Sequence, residues 1–170
     1  DTDTGIISPG GIGFDINCGM RLIATSLTYD EVEEDLRPLV DALSERVPAG
    51  VGGTGLLSLS KDAFRELIEG GMEWTLEHGY AEEEDLRRTE EGGRMTGARA
   101  AAVSDRAIER GYKQVGTLGS GNHYLEIQVA EPDGIFDADA AAQLGITRPG
   151  QIMLMLHTGS RGFGHQVASD

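Results

Sequence analysis

Lysine is almost missing from this sequence. Only Lys61 and Lys113 occur, so arginine supplies nearly all of the 14 basic residues, which face 29 acidic ones for a formal charge of -15. That deficit argues against general affinity for nucleic acid, because phosphate binding runs on Lys and Arg and on the counterions they release. The acid excess is local, concentrated in 30–35 and 82–91, so an anion site elsewhere stays open. Cysteine is limited to Cys18, which excludes an intrachain disulfide and fits a reducing compartment. No run of about 20 apolar residues occurs, the length a bilayer span needs, and no basic stretch leads into an apolar one at the start. A soluble, cytoplasmic protein without a membrane partner is the expectation. There is no Gly-x-Ser-x-Gly elbow, no His-Glu-x-x-His pair and no Gly-Lys-Ser/Thr ending to a glycine-rich loop, which removes the commonest hydrolase and P-loop readings.

What is present suits one globular domain over 1–170. Apolar residues make up 39% and charged residues 25%, enough for a core at this length. The sequence does not open on Met and closes soon after a glycine-rich motif, which reads as a piece of a longer protein.

Met20 to Thr25 reads as a short strand. Thr28 with Glu31 three positions on is a capping box, and Val32, Leu36, Leu39, Leu43 and Val47 then recur at helical spacing, with Pro38 expected to break or kink the helix. The glycines of 48–55 make a loop. Ser60 caps a helix carrying Phe64, Leu67 and Ile68, interrupted at Gly70 and Gly71 before 72–78, where Trp74 belongs to the core and His78 ends the helix. An acidic connection over 82–93 and a helix over 98–110 follow. Leu125 to Val129 alternates as a half-buried strand, and Gln151 to Leu156 is a continuous run suited to a buried one. Strands and helices without a strict βαβ rhythm predict an α+β fold, a mixed sheet with flanking helices.

The chemistry gathers at three glycine-rich turns joined to strands. The first is 10–19, which brings Asp15 and Cys18 within three residues; two readings stand, a carboxylate–thiolate pair for a borderline cation such as Mn, Co or Zn, or a cysteine acting as small apolar filler. The second, 116–126, places His123 just before a strand, and the third, 157–165, sets His157 at a strand end. Asp15, Cys18, His123 and His157 together offer carboxylate, thiolate and imidazole, a set that fits Mn, Co or Zn better than the all-oxygen shells of Mg or Ca. Arg161, between Ser160 and Gly162, can fork onto a phosphate with backbone N–H groups beside it, or be a surface arginine. Metal plus a phosphate cradle means phosphoryl or nucleotidyl chemistry.

Phe14-Asp15-Ile16-Asn17-Cys18-Gly19, the run Gly116 to Gln128, and His157-Thr158-Gly159-Ser160-Arg161-Gly162 closely resemble the RtcB family of RNA-splicing ligases. Val47-Pro48-Ala49-Gly50 is similar to a further family loop. The resemblance implies part of an RtcB-like catalytic core. It also implies a GTP- and Mn-dependent RNA ligase that joins 2',3'-cyclic phosphate or 3'-phosphate ends to 5'-hydroxyl ends through a histidine–GMP intermediate. Carried onto this sequence, Asp15, Cys18, His123 and His157 would hold two Mn ions, with the Cys18 thiolate bridging them. Asn122, His123, Tyr124, Leu125 and Glu126 would line the GTP site, and Arg161 would hold a phosphate or an RNA end. An activating protein is a further candidate partner. The family's guanylylated histidine is expected beyond residue 170, since His165 belongs to the Gly164-His165-Gln166 tail of the third motif, so no catalytic nucleophile is assigned here. A non-catalytic metal and nucleotide module, or a metal-dependent phosphoesterase, are the alternatives.

Overall fold

The computed structural model describes residues 3–6, 13 and 15–170. Gly10, Gly11, Ile12 and Phe14 of the first glycine-rich turn lie outside them. Contacts sort the chain into two compact units, each assembled from separate segments: Asp1–Ile16, Gly55–Val115 and Ser160–Asp170 in one, Asn17–Thr54 and Gly116–Gly159 in the other.

The second unit holds the sheet. β1 (Gly19–Thr28), β2 (Tyr124–Val129) and β3 (Gln151–Thr158) lie in the order β1-β3-β2. The α+β class is as expected, but the predicted mixed sheet is antiparallel throughout the described strands, because β3 runs opposite to both neighbours. Alternation in sequence fixes which residues share a face, not the direction of the neighbouring strand. β3 is the central strand and begins fully buried, at Gln151, Ile152 and Met153. The buried Gln151 amide is satisfied at both ends. Its Nε2 donates to the carbonyls of Thr25 (2.8 Å) and Gly145 (2.9 Å), and its Oε1 accepts from the Thr147 N–H at 2.8 Å.

α1 (Tyr29–Val32) starts at Thr28, whose N–H and hydroxyl both donate to the Glu31 carboxylate at 2.8 Å. A 3-10 turn over Glu33–Asp35 separates it from α2 (Leu36–Arg46). The break thus precedes Pro38, which sits in the first turn of α2, where no intrahelical partner awaits its missing N–H. Val32 is buried, and Leu36, Leu39, Leu43 and Val47 are half-buried, as their spacing predicts. α7 (Ala138–Gln143), which no apolar periodicity predicts, is started by Asp137, whose Oδ1 accepts from the N–H groups of Asp139 and Ala140 at 3.0 and 2.9 Å.

The first unit is helical among its described residues. α3 (Lys61–Gly70) is capped by Ser60, which accepts from the Ala63 N–H, and Gly71 at φ 58° turns the chain into α4 (Met72–Glu77). Trp74 is buried, with His78 stacked on it at 3.8 Å and the His78 Nδ1 bonded to the Trp74 carbonyl, so His78 serves structure there. The acidic connection instead folds into α5 (Glu83–Arg87) and a 3-10 turn over Glu90–Gly93, because Asp85 accepts from the Glu82 N–H and Arg87 and Arg88 both reach Glu84. The helix expected over 98–110 is a 3-10 turn at Ala100–Ala102 and a separate α6 (Asp105–Gly111). Ser104 divides them by using its hydroxyl to accept from the Ala107 N–H, the side-chain competition that places serine at caps. α8 (Arg161–Ser169) packs on α6, and its Phe163 meets Phe64 edge-on at 5.2 Å beside Gly111. No helix among the described residues is long and apolar enough to cross a membrane.

Candidate functional site

In the sheet unit, the strand register decides which side chains meet. Met20, His157 and Tyr124 are directly opposite across the three strands, as are Leu22, Met155 and Glu126, and then Ala24, Met153 and Gln128. These rows share one face. Arg21, Leu156 and Leu125, then Ile23, Leu154 and Ile127, share the other.

Cys18 stands one residue before β1, aimed by Asn17 at φ 60°. That left-handed conformation is one asparagine tolerates better than most residues, so the bend comes at Asn17 rather than at a glycine. The half-buried Cys18 sulfur lies 3.0 Å from His157 Nε2 and 3.3 Å from His123 Nε2. The two imidazoles are 5.4 Å apart at 60°, and the Tyr124 ring stands edge-on to His157 at 5.4 Å. Three predicted ligands therefore converge, contributed by the approach to β1, the approach to β2 and the end of β3. His157 is next to last in β3, since that strand runs on to Thr158.

The donor set of one sulfur and two imidazole nitrogens suits a borderline divalent cation. With zinc-like bond lengths, sulfur and nitrogen on one tetrahedral ion lie about 3.6 Å apart. The observed separations of 3.0 and 3.3 Å are shorter than that, so the side chains would have to part to take up an ion.

The loop that delivers His123 is pinned within the same unit. Leu118 N–H donates to the Pro48 carbonyl and Gly50 N–H to the Gly119 carbonyl, both at 2.8 Å, while Thr158 Oγ1 donates to the Leu118 carbonyl at 2.6 Å. The 48–50 stretch thus supports the second motif, a pairing no local signal announces.

The predicted nucleotide residues divide between the two sheet faces. Tyr124 and Glu126 join His157 on one face, where Gln128 Nε2 donates to Glu126 Oε2 at 2.9 Å, and Asn122 is exposed in the preceding turn. Leu125 lies on the opposite face, lining an apolar cavity of about 230 Å³ with Val40, Leu43, Val47 and Ile127. Gln128 and Met155 also belong to the His157 face, and period-two alternation from Glu126 reaches Gln128.

Asp15 and Arg161 belong to the helical unit. Asp15 Oδ1 accepts from Ser160 Oγ at 2.9 Å and from the Arg161 N–H at 3.0 Å. Arg161 holds φ 58°, and the Gly162 N–H donates to Gln114 Oε1 at 3.1 Å. The backbone N–H groups expected to cradle a phosphate beside Arg161 are thus engaged by protein oxygens.

The model of the family described as tRNA-splicing ligase RtcB matches residues 1–170, the whole chain. This chain belongs to the RtcB family. RtcB relatives include the tRNA-splicing ligases RtcB of Pyrobaculum aerophilum, 52% identical, and Thermococcus kodakarensis, 49% identical, each over all of this chain and 35% of the relative's length. RNA-splicing ligase RtcB homolog 1 of Entamoeba dispar is 48% identical over the whole chain and 31% of its own length. The chain spans about a third of the curated RtcB proteins it matches.

Proposed function

We propose that this RtcB segment supplies the metal-binding core of a GTP- and Mn-dependent RNA ligase. The enzyme would join 2',3'-cyclic phosphate or 3'-phosphate RNA ends to 5'-hydroxyl ends in tRNA splicing or RNA repair. The histidine that carries GMP would lie outside 1–170. The observation that carries this reading is the approach of two imidazole Nε2 atoms to one sulfur, at 3.0 and 3.3 Å, from motifs 105 and 139 positions away. A single Cys–His pair would fit a thiol nucleophile; a second imidazole on the same sulfur favours a cation.

Cys18, His123 and His157 would hold two Mn ions, with Asp15, three residues before Cys18 in the chain, adding a carboxylate. Bound divalent ions would supply Lewis-acid polarisation of phosphate oxygens. Tyr124 would keep His157 oriented by its edge contact. Asn122 and Glu126 would hold GTP through their side chains, and Arg161 would hold the phosphate of an RNA end through its guanidinium. The shortage of lysine fits an enzyme that grips an RNA end rather than a long stretch of backbone. The relatives' names support the tRNA-splicing assignment, and an activating protein remains part of the proposal.

The test is Co(II) titration of the full-length protein, watching thiolate-to-metal charge-transfer absorption. The band is expected in the parent and lost in both Cys18→Ala and His123→Ala. A band that survives His123→Ala in folded protein would overturn the shared site. Metal binding without transfer of label from α-labelled GTP to the protein would favour a phosphoesterase or a binding module.

A further inference from the structure

We propose that Ser160 and Gly164 form a seat that holds the Asp15 carboxylate in its ligating orientation. The inference rests on the reading of Asp15 as a metal ligand given above. All of its parts lie in the helical unit. Asp15 Oδ1 receives two donors, the Ser160 hydroxyl at 2.9 Å and the Arg161 N–H at 3.0 Å. With two donors on Oδ1, the plane of the Asp15 carboxylate is set by Ser160 and the Arg161 backbone.

Two local features make the seat, and both carry a cost that ordinary capping does not require. Arg161 adopts φ 58°, a conformation that disfavours any residue with a Cβ. Its N–H donates to Asp15 while the chain turns at this residue into α8. Gly164, buried one turn later, leaves the volume that the Ser160 hydroxyl occupies: a Cβ there would stand 1.8 Å from Ser160 Oγ and 3.1 Å from the Ile16 nitrogen. Any side chain at 164 displaces the hydroxyl from Asp15. Ser160, Arg161 and Gly164 are thus positioning residues acting through Asp15, and the Gly-rich character of the third motif has a second use besides delivering His157. Outer groups that orient a metal ligand commonly change affinity by about 10- to 100-fold when removed.

The test measures Co(II) affinity by visible absorption and Mn(II) affinity by the loss of the free-ion electron paramagnetic resonance signal, in the full-length protein. Ser160→Ala is expected to weaken both by about tenfold, Ser160→Thr to restore much of the loss, and Gly164→Ala to copy Ser160→Ala. Ser160→Gly provides the same deletion with little penalty as a helix cap, so loss of fold in the alanine variant does not leave the question open. Asp15→Ala is the reference. Affinity unchanged in Ser160→Gly while Asp15→Ala is weakened overturns the seat and leaves Asp15 a ligand. Affinity unchanged in Asp15→Ala overturns the ligand reading itself. An unfolding midpoint lowered in Ser160→Gly with metal affinity intact assigns the Ser160–Asp15 contact to stability alone, and also overturns the proposal.

Discussion

Glu126 and Leu125 are adjacent in sequence and belong to opposite sides of the sheet. One shares a face with His157, and the other lines an apolar cavity under α2. A nucleotide on the His157 face would meet Glu126 by its side chain and Leu125 by its main chain alone. Gln128 donates to Glu126 at 2.9 Å and to Met155 Sδ at 3.5 Å, and so fixes where that carboxylate stands. Under the proposed function, Gln128→Ala should weaken GTP binding by roughly 2- to 12-fold, the equivalent of one hydrogen bond of about 0.5–1.5 kcal/mol. Isothermal titration with GTP measures this. Metal affinity in the same variant should not move, because Gln128 pairs with Met153, two rows along the sheet from His157. Equal losses for GTP and metal would instead mean that the sheet end had distorted.

Among the elements, α1 offers the cleanest dependence on pH. The Thr28 hydroxyl, and after it the Thr28 N–H, hydrogen-bond the Glu31 carboxylate and lower its pKa below the ordinary glutamate value. A depressed folded-state value adds stability that is present above the unfolded-state pKa and lost as pH falls through the folded one. The contribution of this cap should therefore disappear only in acid, below the usual glutamate range. Side-chain carboxyl NMR titration should return Glu31 toward its ordinary value in Thr28→Val. The same cap was legible in the sequence, as was that of Ser60, because each is closed within three residues. α7 is just as local, with Asp137 as its cap, but its alanine-rich body shows no apolar stripe to announce it. α8 has the sequence of a glycine-rich turn. It forms nonetheless, since Phe163 and Gln166 are packed by α3 and α6 partners that its own sequence cannot announce.

At the scale of the whole molecule, the chain passes between its two units after Ile16, Thr54, Val115 and Gly159. Each unit has its own fully buried isoleucine, Ile108 in the helical one and Ile152 in the sheet. Ile108→Ala and Ile152→Ala should each cost about 2–5 kcal/mol, the range for emptying a core position. Native-state hydrogen exchange is expected to speed first at α6 and α8 amides in the former and at β3 amides in the latter. Uniform acceleration through both units in either variant would show instead that they open together.

The sequence by itself determined what is closed over short distances. It set the caps, the alternation of β2, the apolar run of β3, and the placement of aspartate, cysteine and histidine beside glycine-rich turns. Only the tertiary structure decided that β3 lies between β1 and β2, that both pairings are antiparallel, and that His157 stands opposite Met20 and Tyr124. It also decided that a bend at Asn17, not at glycine, aims Cys18 at two imidazoles far away in the chain. The reason is physical. A period of two fixes which residues share a face, but neighbour, direction and register follow from burial across strands, and that energy depends on residues more than a hundred positions apart.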